Sequence, residues 1–174
     1  MHLMQNGVAL IEPYIKAYGA FAVFVIIYFE SLGAPLPGES LLVGISAIAA
    51  RGDINLGHAL AAAFFGAILG DSTGYLIGRF GGRLLLLRFG SYIKLTAERL
   101  GKLEAVFHSK GIWIVMSARF FAVLRQLNGL IAGSVAMPWL HFLFANIIGA
   151  AAWVLVWGLG PYLAVDTFEA IFRR

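Results

Sequence analysis

The sequence contains no cysteine and few charges: Asp, Glu, Lys and Arg make up 13% of its 174 residues, against about 25% in soluble domains. Without cysteine, a disulfide framework, thiolate catalysis and thiolate-bound metals are excluded. Hydrophobic residues reach 60%, more than a soluble chain of this length can bury. We therefore predict an all-α integral membrane protein. The net charge of +4 is interpreted as favouring contact with anionic lipid head groups and not binding of nucleic acid.

Two apolar segments near the N-terminus are too short to cross a bilayer, which needs about 20 residues. The first segment, residues 17–29, stops before Glu30, and the second begins at Ser40. Residues that end or interrupt a helix separate them: Pro35, Pro37 and Gly38. We predict that residues 17–50 form a re-entrant hairpin and that its non-helical tip lines a cavity. Residues 1–16 are expected to form an interfacial helix.

A transmembrane helix is predicted over residues 54–78, where Asp71 is the single charge. Four glycines recur at every fourth position of this helix: Gly66, Gly70, Gly74 and Gly78. Such a ridge lets another helix pack closely against it. Residues 79–110 carry seven of the 13 basic residues, and the positive-inside rule places this loop in the cytoplasm. Its amphipathic segment is expected to be a helix on the membrane surface, with a basic effector-binding loop as the alternative.

The second half repeats this pattern. Residues 111–137 are predicted to form a second re-entrant hairpin, and residues 139–165 a second transmembrane helix. A shift of 83 residues places His58 on His141 and Gly66 on Gly149. We therefore expect an inverted repeat of one re-entrant hairpin plus one transmembrane helix, an organisation typical of transporters. Coincidence among glycine-rich helices is the alternative.

Five charges fall inside the predicted membrane segments: Glu30, Glu39, Asp71, Arg119 and Arg125. Each costs roughly 2.5 to 3.5 kcal/mol at the centre of a membrane helix, so they are expected to pair or to serve a function. Arginine binds phosphate oxygens and stays charged when desolvated, which makes Arg119 and Arg125 the candidate phosphate receptors. Burial favours the protonated form of a carboxyl group. The three acids are therefore the candidates for proton coupling.

Structural alternatives exist for each of these charges. Glu39 has the position of a helix cap after Pro37 and Gly38. Asp71 is spaced to pair with Arg79. The two arginines inside the membrane are structural partners of the acids in this alternative. The histidines near the helix starts are interpreted as interfacial anchors.

The sequence resembles the DedA family, also called the SNARE-associated or VTT-domain family. The resemblance rests on Phe29-Glu30, Pro35-Leu36-Pro37-Gly38-Glu39-Ser40, Gly70-Asp71-Ser72-Thr73-Gly74, Arg119-Phe120 with Arg125, Met137-Pro138, and Asn146 with Gly149 and Trp153. It covers about residues 20 to 162. Family members usually have proline between the two arginines. Ala122 stands there in this sequence, so the second hairpin is expected to break less sharply or elsewhere.

The resemblance implies a multi-pass protein of the bacterial or archaeal inner (plasma) membrane with two re-entrant hairpins. It also implies transport of lipids such as undecaprenyl phosphate or phosphatidylethanolamine, coupled to the proton-motive force, with Glu30, Glu39, Arg119 and Arg125 as functional residues. Most members continue into a further hydrophobic helix beyond the region that ends near Tyr162, whereas this sequence stops at Arg174. The resemblance does not define the oligomeric state, and a homodimer is one of the alternatives.

The leading hypothesis is therefore a lipid flippase or scramblase whose partners are a phosphate-bearing lipid and protons. A proton-coupled antiporter of small cations or drugs is the alternative. An enzyme acting on lipid phosphates is not expected, because H-E-x-x-H and P-loop patterns are absent and no histidine lies beside the arginines in sequence. We expect no metal and no organic cofactor.

Overall fold

The computed structural model describes residues 19–50, 52, 54–90 and 97–164, and all regular structure in these residues is helical. The helices are α1 (Gly19–Leu32), α2 (Gly38–Ala50), α3 (Leu56–Gly90), α4 (Ala97–Ala118), α5 (Ala122–Ser134) and α6 (Trp139–Val154). A π-helical turn, Leu155–Leu159, prolongs α6 to Ala164. The predicted interfacial helix of residues 1–16 lies outside the described residues, as does the middle of the predicted basic loop, residues 91–96.

Two helices are long and apolar enough to cross a membrane: Leu56–Gly81 and Trp139–Ala164, each of 26 residues. At about 1.5 Å per residue, each exceeds the roughly 30 Å of a hydrocarbon core. Many large side chains on their outer surfaces are exposed, among them Phe65, Phe80 and Phe144. The all-helical prediction with two apolar spans is thus confirmed. That the shorter helices α1 and α2 re-enter the membrane stays a prediction.

Two helix boundaries differ from those expected. α3 does not end at Gly78 but continues to Gly90, through a leucine-rich run with arginines at both ends, in which both residue types are strong helix formers. α4 begins at Ala97 and continues past Lys110 to Ala118. The amphipathic segment and the first arm of the second hairpin are therefore one continuous helix.

The long helices of the two halves run antiparallel. Near one end of the pair, Leu60 of α3 lies against Gly158. Further along α3, the Ile68 carbonyl accepts a hydrogen bond from Asn146 of α6. An inverted repeat requires this antiparallel relation, and the inversion within the membrane stays a prediction.

Within each half, the first arm packs parallel to the long helix that follows. In the first half Gly66 lies against Phe24 and Gly70 lies against Tyr28. In the second half Gly149, the counterpart of Gly66 in the 83-residue shift, lies against Met116 of α4. Each of the two glycines that the shift places in register thus packs on the first arm of its own half, although Met116 is not the residue that the shift pairs with Phe24.

The glycine ridge of α3 is shared by two helices. Gly66 and Gly70 contact the backbone of α1, whereas Gly74 and Gly78 contact the backbone of α5. α5 presents two glycines of its own, Gly129 and Gly133, whose Cβ atoms would overlap the carbonyl oxygens of Asp71 and Tyr75. Because neither helix has side chains here, their backbones are in direct contact.

Candidate functional site

Two interruptions of the helices lie close together in the fold. The first, residues 33–37, separates α1 from α2, and the second, residues 119–121, separates α4 from α5. Their proximity is seen at Gly33, which lies against the Gln126 carbonyl of α5. Gly33 has φ at +123°, a conformation that favours glycine. The acids of the first hairpin and the arginines of the second therefore face the same region.

The Glu30 side chain accepts a backbone hydrogen bond at the N-terminus of α2. The prolines of the first break cannot continue a helix, so α2 begins at Gly38, whose N–H donates to Glu30 Oε1 at 3.0 Å. A Cβ atom at position 38 would overlap the Glu30 carboxylate, so only glycine allows this contact. Glu39 lies in the first turn of α2, where a negative charge interacts favourably with the helix dipole. The side chain that accepts the Gly38 N–H is thus Glu30, whereas Glu39, the alternative cap, lies within the first turn.

The second break occurs between the two arginines although no proline is present. α4 ends at Ala118, Phe121 is extended with φ −117° and ψ 115°, and α5 begins at Ala122. The expectation that the break would move or soften without proline does not match this geometry. Arg119 consequently lies at the break, and Arg125 lies at the start of α5.

Arg125 binds both acids of the first hairpin. Its Nη2 donates to Glu30 Oε1 at 2.6 Å, and its Nη1 donates to Glu39 Oε1 at 3.2 Å. The guanidinium lies over the ring of Trp153, with Cζ 4.8 Å from the ring centroid. The Glu39 side chain is 33% exposed, whereas those of Glu30 and Arg125 are buried. We call Glu30, Glu39, Arg125 and Trp153 the outer cluster.

Arg119 lies in a second, fully enclosed cluster. Its Nη2 donates to Asp71 Oδ2 and to Asn146 Oδ1, and the Ala67 carbonyl lies 3.5 Å away. Asn146 in turn donates to the Ile68 carbonyl at 3.2 Å, which fixes its orientation. Asp71, Arg119 and Asn146 are all 0% exposed. We call these three residues the inner cluster.

We predicted that the two arginines would pair with the acids inside the membrane segments, and each arginine does form such a pair. Arg125 meets Glu30 and Glu39, but Arg119 pairs with Asp71 of α3 and not with a hairpin acid. The alternative that Asp71 pairs with Arg79 is wrong, because Arg79 is exposed while Asp71 is buried against Arg119.

Two contributors to the site, Asn146 and Trp153, had no predicted role. Asn146 carried a signal, because an amide in the middle of a long apolar span needs a polar partner. Trp153 carried none of its own. The two residues lie seven positions apart, which places them on the same face of α6. One face of α6 thus contacts both arginines.

One stretch of α3, Gly70 to Gly74, has the G-x-S-x-G spacing of a hydrolase nucleophile. In those enzymes the serine lies on a sharp turn between a strand and a helix. Here Ser72 lies in the interior of a continuous helix, and the flanking glycines are packing positions. The described residues also contain no group of three or more His, Asp or Glu that could hold a metal ion.

The fold and this site define an α-helical membrane protein that encloses paired charges between interrupted helices. A family model described as the VTT domain matches residues 36–162. The chain belongs to this family, the VTT-domain or DedA family, as its motifs predicted.

Several curated relatives are similar along most of the chain. An uncharacterized membrane protein of Synechocystis, slr0232, is 40% identical over 81% of this chain and 65% of its own length. The inner membrane protein YabI of Escherichia coli is 32% identical over 83% of this chain and 59% of its own length. Protein DedA of Escherichia coli is 31% identical over 85% of this chain and 71% of its own length.

The chain thus spans a little under two thirds of the length of the first of these relatives. No solved structure matches the chain. The relatives' names support a membrane location, which agrees with the two apolar spans.

Proposed function

We propose that this protein moves a phosphate-bearing lipid, such as undecaprenyl phosphate or phosphatidylethanolamine, between the leaflets of the membrane and couples the movement to protons. The observation that carries the proposal is Arg125, a buried cation held between two acids where two interrupted helices meet. Transporters built from broken helices bind their substrates in such places. The lipid tails would remain in the bilayer while the head group crosses through the protein.

The outer cluster has donors to spare for an anion. Within the part of the chain that the structure describes, Arg125 Nε and Trp153 Nε1 are buried without a hydrogen-bond partner. A buried donor without a partner is costly, and a phosphate oxygen would satisfy it. Arg125 Nε and Trp153 Nε1 would thus add to the Nη1 donor that a head group takes over from Glu39.

Glu39 is the acid that a phosphate would displace. Both Nη atoms of Arg125 are occupied by carboxylates, so a second anion competes with them. Glu30 is buried and also accepts the Gly38 N–H, whereas Glu39 has the longer contact and is one third exposed. Protonation of Glu39 would weaken its hold on Nη1 and open the arginine to phosphate. This exchange is how we propose that proton uptake and lipid binding are coupled.

The inner cluster supports the site and does not bind the lipid in this proposal. Nη2 of Arg119 contacts Asp71, Asn146 and the Ala67 carbonyl, whereas its Nε and Nη1 are buried without a hydrogen-bond partner among the described residues. Arg119 is 0% exposed, so these free donors are not open to a head group from the surface. We therefore assign the structural role to Arg119 and Asp71 and keep Arg125 as the phosphate receptor. All five charged residues come from one chain, so the proposal does not require a homodimer.

Reconstitution in liposomes tests this function. Purified protein would be incorporated with a fluorescent polyprenyl phosphate, and an impermeant quencher would report arrival of the lipid in the outer leaflet. We expect protein-dependent movement of this lipid, and slower movement of the same polyprenol without its phosphate. A fluorescent phosphatidylethanolamine tests the second head group.

Arg125→Gln is expected to slow this movement at least tenfold, since charged hydrogen bonds contribute about 1.5 to 3 kcal/mol each. Arg79→Gln, which removes an exposed positive charge, is the matched control. Because Arg125→Gln leaves two acids without their cation, the double variant Arg125→Gln/Glu30→Gln provides a second test with less unpaired charge. A wild-type rate in either folded Arg125 variant would exclude the phosphate-receptor role.

An antiporter of small cations or drugs is the second candidate. It is favoured by the charge balance of the outer cluster, in which two carboxylates surround one arginine. The same vesicles, loaded with a pH-sensitive dye, distinguish the two functions. Proton movement on addition of cations, without any movement of lipid, would support the antiporter.

A further inference from the structure

A cavity of about 480 Å³ lies where α4 passes the start of α6, and it shares no lining residue with either charged cluster. Its polar lining consists of Ser109, Lys110 and His141. The remaining lining is mainly apolar and includes Phe107, Trp113 and Met137. The cavity is thus amphipathic.

A second, smaller cavity of about 250 Å³ continues from the first along the groove between α4 and α6. Trp113 lines both cavities. The groove then follows Met116 on α4 and Phe120 in the break after it, and passes Gly149 and Ala152 on α6. From Lys110 to Ser117 the path along α4 is about 10 Å long at 1.5 Å per residue, which is about a third of a hydrocarbon core.

The chemistry of the two cavities matches a single amphiphile with a negative head. None of the described residues that line the larger cavity is acidic. Lys110 and His141 are exposed, so both can reach an anion at its rim. Pro138 begins α6 without a side-chain cap, and the first turn of this helix contains no acid, so its positive end adds to the same field.

We propose that these cavities bind an anionic phospholipid, with its phosphate at Lys110 and His141 and one acyl chain in the groove past Trp113. A lysine at the membrane surface attracts anionic head groups, and tryptophan favours the same interface. The site does not depend on the proposed transport, because it would hold a lipid whether or not the protein moves lipids.

Quenching of tryptophan fluorescence by lipids with brominated acyl chains measures this binding. The probes are brominated phosphatidylglycerol, which is anionic, and brominated phosphatidylcholine, which is zwitterionic, added to the purified full chain in a neutral detergent. We expect saturable quenching with at least fivefold tighter binding of phosphatidylglycerol, since one lysine near the surface contributes about that factor. Trp113→Phe should remove most of the quenching.

Variants separate the head-group site from the groove. Lys110→Gln and His141→Gln should each remove much of the preference for phosphatidylglycerol, whereas Arg79→Gln, an exposed cation outside the cavity, should leave the preference unchanged. Ala152→Phe should fill the groove and weaken binding of both lipids. Because Lys110 and His141 are exposed, their replacement is expected to preserve the fold, which circular dichroism checks.

Two results would overturn the proposal. One is an unchanged preference for phosphatidylglycerol in the double variant Lys110→Gln/His141→Gln. The other is displacement of the lipid by inorganic phosphate at equal concentration, which would define a site for free phosphate. Neither result affects the proposed transport, because the outer cluster is unchanged in these variants.

Discussion

Asp71 and Arg119 form an ion pair that is completely buried, and this decides how their replacement acts on stability. Removing one partner of such a pair leaves the other charge without compensation, which costs about 3 to 5 kcal/mol. Removing both partners leaves no unpaired charge and therefore avoids part of that cost. The contribution of this ion pair to the free energy of unfolding is therefore best measured by comparing the two single variants with the double variant.

Asp71→Ala and Arg119→Ala are each expected to lower the free energy of unfolding by about 3 to 5 kcal/mol. The double variant should cost less than the sum of the two, by about 1 to 3 kcal/mol. Unfolding of the purified protein in detergent micelles by a denaturant provides the values. Arg79→Ala, at an exposed position, should change stability by less than about 0.5 kcal/mol. Additive costs in the double variant would contradict the ion pair.

Glu30 and Glu39 are both bound to Arg125, but we predict that they differ in their effect on stability. Glu30→Gln weakens a buried contact to Arg125 and the acceptor for Gly38, and is expected to cost about 1.5 to 3 kcal/mol. Glu39→Gln weakens a longer contact to an acid that is one third exposed, and should cost less than about 1 kcal/mol. The same unfolding measurement compares them. Equal costs would show that the two acids are held equally.

The sequence identified the charged residues, because charges stand out in apolar segments, but it did not identify their partners. The pairing of Arg119 with Asp71 depends on how α4 and α6 pack on α3. Trp153 belongs to the motifs of the family resemblance, but its position under Arg125 follows from the same packing and was not predicted. Such contacts are set by tertiary structure and not by local spacing.

Helix packing in this protein depends on glycines at two crossings of α3. The spacing of the α3 glycines predicted close approach, but not that α1 and α5 would share the ridge. The helix ends were also less predictable than the spans. A run of strong helix formers carries α3 to Gly90, and only tertiary contacts could have shown where the helix stops.

Gly133→Ala is expected to destabilise the protein by about 1 to 3 kcal/mol, because the new Cβ atom would overlap the Tyr75 carbonyl and force α5 away from α3. Gly44→Ala is the matched control, since no atom lies within 4 Å of its Cβ position. This control should stabilise α2 by about 0.5 to 1 kcal/mol. Thermal unfolding of the two variants in the same detergent checks the difference in sign. A neutral Gly133→Ala would contradict the close contact between α3 and α5.

At the scale of the whole molecule, the described residues form two halves with the same order of elements, each an interrupted pair of helices followed by a long apolar helix. The sequence predicted this order from the length of apolar runs and the position of prolines. Neither these runs nor the antiparallel long helices determine how deep the hairpins lie in the membrane. Depth and orientation therefore need a direct measurement.

The absence of cysteine makes that measurement simple, because single cysteines can be introduced without background. In intact cells an impermeant maleimide should label His58→Cys, at the predicted outer end of α3, but not Ser109→Cys, on the predicted cytoplasmic side. Ser40→Cys and Ser117→Cys, near the two hairpin tips, should be reached from the outside and from the cytoplasm respectively. Labelling of either tip from the opposite side would show that its hairpin spans the membrane.

Our central proposal is that a lipid phosphate displaces the Glu39 carboxylate from Arg125. The most direct test is the rate of polyprenyl phosphate translocation as a function of pH. The charged groups that face Glu39 are Arg125 and, beyond it, Glu30. In wild-type vesicles we predict a faster rate as the pH falls on the side that Glu39 faces, because protonation releases Arg125. Glu39→Gln mimics the protonated acid and should translocate lipid at a rate that no longer depends on this pH. A Glu39→Gln variant that keeps the wild-type pH dependence would contradict the exchange.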